Sequence, residues 1–353
     1  VTFFRDQSEE YPTAPQTLVT ANPNLTKGNQ TMRYRSFGRT GWQVSEIGYG
    51  MWGLAGWTGS NDLESEASLD AAAERGCNFF DTAWGYGEGK SEQMLGRLVK
   101  RQAGKKIYVA TKIPPKNFKW PSKRGYTLDD CFPPDHIADY TAKSLRNLDA
   151  AIDLLQFHVW EDSWADDSRW QEAVAKLKRQ GKVHAIGVSV NRWEPENCLR
   201  TIETGLIDSV QVIYNIFDQS PEDRLFPFCK EHGIAVIARV PFDEGTLSGA
   251  VTADTKFPAD DWRGTYFVPE NLAASVERVE RLKKILPPGM PLPQMALRFI
   301  LSNPVVSTTI PGMRKSAHVE SNASASNAGP LGTALLDELK KHRWDRQPTA
   351  WSQ

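Results

Sequence analysis

Gly48-Tyr49-Gly50-Met51-Trp52-Gly53 carries the literal G-x-G-x-x-G spacing of a dinucleotide fingerprint, and its reading separates two α/β folds. In a doubly wound sheet the third glycine opens a helix whose backbone amides face a pyrophosphate. Here the chain continues Leu54-Ala55-Gly56-Trp57-Thr58-Gly59, which has the composition of a loop. Without a helix these glycines lose that role. They are expected instead to give a tight strand exit beneath a ligand.

The apolar run around them, Glu46–Met51, is the first of a series. Asn78–Asp81, Lys106–Lys112, Ile152–His158, Val183–Ser189, Ser209–Tyr214, Ile234–Arg239 and Val305–Ile310 follow. Helix-like segments lie between them, among them Glu64–Arg75, Ser91–Arg101, His136–Leu148, Trp170–Gln180, Pro221–His232 and Val276–Leu286. Short strands alternating with helices imply parallel β-α-β units with right-handed crossovers. Eight such runs point to an α/β fold of the (β/α)8 TIM-barrel type, with a doubly wound sheet as the alternative. Upstream, residues 33–36 and 42–45 flank Gly38-Arg39-Thr40-Gly41 and read as a short β-hairpin. Periodic hydrophobicity starts only near Met32. Residues 1–31 are therefore expected to be a loosely ordered extension, and residues 32–353 the barrel with a C-terminal tail.

Bulk properties narrow the function classes. The formal net charge is −1 and no basic block occurs, so neither nucleic acid nor an anionic membrane has electrostatic support as a partner. No long uncharged apolar run suggests a membrane span. The first 31 residues lack the apolar core of a secretory signal. Cys77, Cys131, Cys198 and Cys229 are scattered, without a CxxC pair. They read as reduced thiols of a cytoplasmic protein, not as a disulfide frame or a metal site.

Barrel active sites sit at the C-terminal ends of the strands, so the ionisable residues there matter most. Asp81 ends the second run, with Tyr86 in the loop that follows; Lys112 ends the third, and His158 the fourth. Each alone has an ordinary structural explanation: a turn, a solvated lysine, a core histidine. Together they suit carbonyl reduction, which needs hydride at carbon and a proton at oxygen. Tyrosine is a poor acid or base near neutrality unless a cation favours its phenolate. Lys112 supplies that cation, Asp81 would hold it, and His158 would hydrogen-bond the carbonyl oxygen.

Phe80-Asp81-Thr82-Ala83-Trp84-Gly85-Tyr86-Gly87, Ala110-Thr111-Lys112 and Leu155-Gln156-Phe157-His158 resemble, in order and spacing, the catalytic tetrad of the aldo-keto reductase family. Ile186-Gly187-Val188-Ser189, Ser209-Val210-Gln211-Val212-Ile213-Tyr214-Asn215 and Thr309-Ile310-Pro311-Gly312 are similar to further family segments, and the likeness runs from about Met32 to the C-terminus. The resemblance implies that Tyr86 donates the proton, Lys112 lowers its pKa, Asp81 pairs with Lys112 and His158 orients the substrate. It implies that Ser189 and Gln211 bind the nicotinamide carboxamide. It also implies that the segment with Gly312 and Arg314 takes the adenosine phosphate of NADPH, and that Asn322 meets the adenine. Two positions depart from the pattern. Val190 stands where the family often has the asparagine that here is Asn191. Arg239 stands where many members stack an aromatic on the nicotinamide; a planar guanidinium can stack or clamp a phosphate, and cofactor contact is the expectation. His318 replaces a frequent arginine, which keeps NADH as the other candidate donor.

Trp52 and Trp84 follow the first two strands and are expected to line the pocket for a small carbonyl substrate. Trp160, Trp344 and Trp351 are further aromatics near the expected mouth. Two other functions compete: a cofactor-binding redox sensor or regulatory subunit with slow turnover, and an aldolase forming a Schiff base at Lys112. The aldolase leaves Gln211 and the 311–316 segment without a purpose.

Overall fold

The computed structural model describes residues 32–56, 59–259 and 261–349. The expected N-terminal extension and Trp351 lie outside these residues. Two short strands, β1 (Tyr34–Ser36) and β2 (Gln43–Ser45), form the antiparallel hairpin, with Arg35 opposite Val44. A 3-10 turn over Gly38–Thr40 joins them. Phe37, beside this turn, is fully buried against Phe79, with ring centroids 5.3 Å apart, and stacks on Trp42 at 5.5 Å. Together with Val44, Ala110, Leu154, Ala185 and Ile237 it forms an apolar plug at the bottom of the barrel.

Eight parallel strands follow in sequence order: β3 (Tyr49–Gly50), β4 (Phe79–Asp81), β5 (Tyr108–Ile113), β6 (Ile152–Phe157), β7 (Val183–Ser189), β8 (Ser209–Ile213), β9 (Ala235–Arg239) and β10 (Val306–Thr309). Bridges from Ile47 to Thr309 and from Gly50 to Gly312 join the first of them to the last. The architecture is thus the (β/α)8 barrel and not the doubly wound sheet. The expected runs at Asn78–Asp81, Lys106–Lys112 and Ile152–His158 differ from the strands only at their ends.

The early glycines serve this closure. Gly48 N–H donates to the Thr309 carbonyl at 2.8 Å, and Gly50 N–H to that of Pro311 at 3.0 Å. A Cβ on Gly50 would meet the Ile310 carbonyl oxygen at 2.5 Å. A close approach of two backbones therefore requires glycine here, at the exit from β3. Only a 3-10 turn, Trp52–Leu54, follows the glycines, so they open no α-helix.

The helices are α1 (Asp62–Glu74), α2 (Lys90–Arg101), α3 (Leu128–Cys131), α4 (Pro134–Leu148), α5 (Ser168–Arg179), α6 (Leu199–Glu203), α7 (Leu225–Glu231), α8 (Arg263–Tyr266), α9 (Pro269–Lys283), α10 (Leu292–Leu301), α11 (Ser316–Ala328) and α12 (Thr333–Lys340). Capping sets several starts: Asn61 accepts from the Glu64 N–H at 3.1 Å and Asp167 from the Arg169 N–H at 3.0 Å. The helix expected over Pro221–His232 is broken. Residues Ser220–Glu222 form a 3-10 turn, and Arg224, at φ −132°, separates it from α7. Among the described residues no helix is long and apolar enough to cross a membrane. All four cysteines are buried free thiols.

Candidate active site

The upper rim gathers the four tetrad candidates. Asp81 is the last residue of β4, and Lys112 the penultimate residue of β5, opposite Gln156 of β6. His158 follows β6 directly, its backbone N–H donating to the Ile113 carbonyl at 3.1 Å. Tyr86 sits in a turn after β4 that folds back on itself: its N–H donates to the Ala83 carbonyl at 3.1 Å, and Gly89 N–H to that of Trp84 at 2.7 Å. Consecutive strands and one tight turn thus bring these side chains to one place.

Lys112 is the centre of the cluster. Its fully buried ammonium donates to the Asp81 carboxylate, to the Thr82 carbonyl at 2.8 Å and to the Tyr86 hydroxyl at 3.5 Å. The three N–H donors of an ammonium match these three acceptors. The second oxygen of Asp81 accepts from Gln156 Nε2 at 2.9 Å and from Gln211 Nε2 at 3.0 Å. Asp81 is therefore held on both sides. The Tyr86 and His158 rings stand edge to face, 5.7 Å between centroids.

Burial governs the electrostatics. It works against the Lys112 ammonium, but Asp81 and Tyr86 outweigh it and hold its pKa above the usual lysine value. Burial pushes the Tyr86 phenol up; Lys112 and, more weakly, Arg239 pull the other way without cancelling it. The lowering expected from Lys112 is thus present but does not decide the net direction. His158 is driven well below the usual histidine range by burial, then by the cations Lys112 and Arg239, so its ring is neutral at physiological pH.

Along the far rim, Ser189 ends β7 opposite Gln211 of β8, and both are buried. Gln211 turns its amide nitrogen into the barrel, also donating to Gln156 Oε1 at 3.1 Å. Arg239 ends β9 and donates to the Val190 carbonyl at 3.0 Å. Asn191 points elsewhere. Its amide staples the loop, donating to Glu161 and Glu194 at 3.0 Å each and to the Ser122 carbonyl at 3.2 Å.

Past β10, the 311–316 segment leads into α11, whose first turn has no side-chain cap. Gly312 is open on its Cβ side, and Arg314 is half-buried. The buried Nδ2 of Asn322 has no hydrogen-bond partner among the described residues, and neither do Arg239 Nε and His158 Nδ1. Unspent donors, an uncapped helix start and cations along one rim suit an anionic, amide-bearing dinucleotide such as NAD(P)H.

The aromatics near the rim fall into different environments. Trp52 is partly exposed, edge-on to Trp262 at 6.2 Å. Trp84 packs against Tyr140 of α4 at 4.7 Å and against Phe118 at 6.2 Å. Trp160 is buried in an aromatic cluster with Phe157, Trp164 and Trp170, away from solvent. Trp120 escaped the sequence reading, yet it is exposed and its ring lies 5.5 Å from that of His158. It sits in a loop rich in proline and lysine, without any periodicity that could mark it. Gln156, the penultimate residue of β6, was also missed as a site residue, because its partners Asp81 and Gln211 come from other strands and meet it only when the barrel closes.

A hollow of about 770 Å³ lies between the loops after β6, β7 and β8 and the C-terminal tail, and none of the tetrad residues lines it. Its carboxylates are largely spent: Asp223 pairs with Arg343, Glu196 with Arg224 and Asp218 with Arg346. The Tyr86–Lys112 cluster lies apart from this hollow.

Comparison with known proteins agrees with this geometry. Residues 46–343 match the model of the aldo/keto reductase family. The aldo-keto reductase YhdN of Bacillus subtilis is 28% identical over 298 residues, covering 82% of this chain and 87% of that protein. The NADH-specific methylglyoxal reductase of Escherichia coli is 27% identical over 315 residues, 84% of this chain and 94% of that protein. An aldo-keto reductase from Bacillus halodurans, solved in its holo form, superposes with a TM-score of 0.71 at 26% identity, covering 91% of this chain and all of that one. With a closed barrel, a rim that gathers the four expected side chains and a family match over most of its length, this chain belongs to the aldo/keto reductase family and is an NAD(P)H-dependent oxidoreductase.

Proposed function

We propose that this chain reduces an aldehyde or ketone to an alcohol, reversibly, with NADPH as donor and Tyr86 as general acid. One observation carries the reading: the buried Lys112 ammonium is bonded at once to the Asp81 carboxylate and, at 3.5 Å, to the Tyr86 hydroxyl. The cofactor, when bound, supplies hydride to the carbonyl carbon. The chain supplies the proton and manages the charge. Burial keeps Tyr86 protonated until the carbonyl oxygen gains electron density; the proton then passes from Oη to that oxygen. Lys112 stabilises the phenolate left behind, and Asp81 holds Lys112 in place. Neutral His158 hydrogen-bonds the same oxygen and sets its orientation.

Ser189 and Gln211 take the nicotinamide carboxamide, Gln211 through its amide oxygen. Arg239 faces the same end of the cofactor. Gly312, Arg314 and Asn322 hold the adenosine end, where backbone amides at the start of α11 favour a phosphate. Arg314 beside a 2′-phosphate is the ground for preferring NADPH, and NADH is the alternative. Trp52 and Trp84 flank the entrance for a small carbonyl compound. Buried, unpaired cysteine thiols fit a reducing cytoplasm.

Tyr86→Phe tests the assignment. It should lower kcat by about 10²- to 10⁴-fold while leaving the NADPH Kd nearly unchanged, because the hydroxyl delivers a proton and holds no cofactor. Retained turnover would remove Tyr86 from the mechanism. Tight NADPH binding by the unaltered protein, with no oxidation across a panel of aldehydes, would favour the sensor reading.

A further inference from the structure

Arg239 closes β9 opposite Ile213 of β8, but its side chain does not stay on its own strand. The guanidinium reaches past β8 and donates from Nη2 to the Val190 carbonyl at 3.0 Å, on the residue after Ser189. The N–H of Val190 in turn donates to the Gln211 carbonyl at 3.0 Å. Arg239 therefore arches over the stretch of rim that carries Ser189 and Gln211.

Its charge also has no direct ion-pair partner among the described residues, and Glu244 and Asp218 act on it only through space. Lys112 pairs with Asp81, Arg192 with Glu244 at 2.5 Å, and Arg346 with Asp218 and Asp243. Arg239 has no carboxylate within salt-bridge distance among the described residues, and its buried Nε has no hydrogen-bond partner. Burial, then the nearby Arg192, brings its pKa down to about 10, which still leaves it a cation at neutral pH. A desolvated, unpaired cation acts strongly on any charge that changes beside it.

One charge changes there during reduction. A nicotinamide ring is neutral in the reduced cofactor and gains a positive charge when hydride, with its two electrons, leaves for the carbonyl carbon. The accompanying proton moves from Tyr86 to the carbonyl oxygen, and Arg239 neither gains nor loses one. We propose that Arg239 lies against the nicotinamide and biases the bound cofactor toward its reduced form, so that the oxidised form is held weakly and released readily. The inference rests on the cofactor reading above. An aromatic side chain at this position would do the reverse, because its π face attracts a cation.

Titration of tryptophan fluorescence with NADPH and with NADP⁺ separates the possibilities, using the full-length protein, Arg239→Met and Arg239→Lys. In Arg239→Met, NADP⁺ should bind about tenfold tighter relative to NADPH, whose own Kd should move less than about threefold. Arg239→Lys, which keeps the charge, should keep the original ratio. Arg239→Gln retains a donor for the Val190 carbonyl and gives the same readout if the methionine variant melts without cooperativity. Equal weakening of both forms would make Arg239 a phosphate clamp and overturn the inference. An unchanged ratio with both forms still bound would overturn it as well. If the unaltered protein binds neither form, the cofactor reading fails together with it.

Discussion

Truncating Arg346 to alanine should destabilise the fold far more than its place in the C-terminal tail suggests. Its Nη2 ion-pairs with Asp218 and, at 2.8 Å, with Asp243, while Nη1 donates to the Tyr266 hydroxyl at 3.0 Å. The guanidinium also lies over the Trp193 and Trp344 rings, 4.8 and 4.5 Å from their centroids. The Arg346 side chain is 3% exposed, and those of Asp218 and Asp243 are 5% and 0%. Removing one partner of such a group typically costs about 3–5 kcal/mol, because the opposite charge stays buried without its counter-ion. Two carboxylates are stranded here, which raises the cost. Each keeps one neutral donor, Asn215 at 2.9 Å for Asp218 and Thr246 at 2.8 Å for Asp243, which lowers it. A loss of about 4 kcal/mol is the result, and at about 2 °C per kcal/mol for a large domain Tm should fall by about 8 °C. The sign of the pH dependence follows from Asp218. Burial raises its folded pKa even with Arg346 present, and without Arg346 it must rise further. A raised carboxyl costs stability in full above its folded pKa, and the cost declines as pH falls from there toward the unfolded pKa. The deficit of Arg346→Ala should therefore shrink as pH falls from about 8 to about 5, and adding Asp218→Asn should recover part of it at the higher pH. Urea melts of the single and double variants at both pH values measure this. A deficit below about 1 kcal/mol near pH 8, or one that grows on acidification, would refute the reasoning.

Arg314→Ala should raise the NADPH Kd by about 10- to 150-fold, the worth of one charge-assisted hydrogen bond, and move the NADH Kd much less. The NADPH effect should shrink at high salt because Arg314 is only half-buried, and equal losses for both cofactors would assign it to the loop or the pyrophosphate. Gly50→Ala sets a methyl 2.5 Å from the Ile310 carbonyl oxygen, where backbone must shift. It should cost about 1–3 kcal/mol in a denaturant melt, and a neutral result would mean that β3 and β10 are not locked together there.

Strand periodicity and the chemistry at strand ends are local properties, so the sequence alone determined the eightfold alternation and the positions of Asp81, Tyr86, Lys112 and His158. The expected run at Val183–Ser189 and the strand that forms there have the same bounds. A strand-end side chain reaches the rim by virtue of its register, which the chain carries residue by residue. Other features depend on distant parts of the chain, and only the folded barrel decided them. The need for glycine at position 50 arises from Ile310, with which it shares no local pattern. Arg346 meets carboxylates 128 and 103 residues away, and no periodicity links them. Trp120 came to lie beside His158 through a loop whose sequence signals nothing. The phenol of Tyr86 shows the division within one residue. Its neighbour Lys112 could be read from the chain, but the net direction of its pKa belongs to burial, and burial exists only once the whole barrel has excluded water.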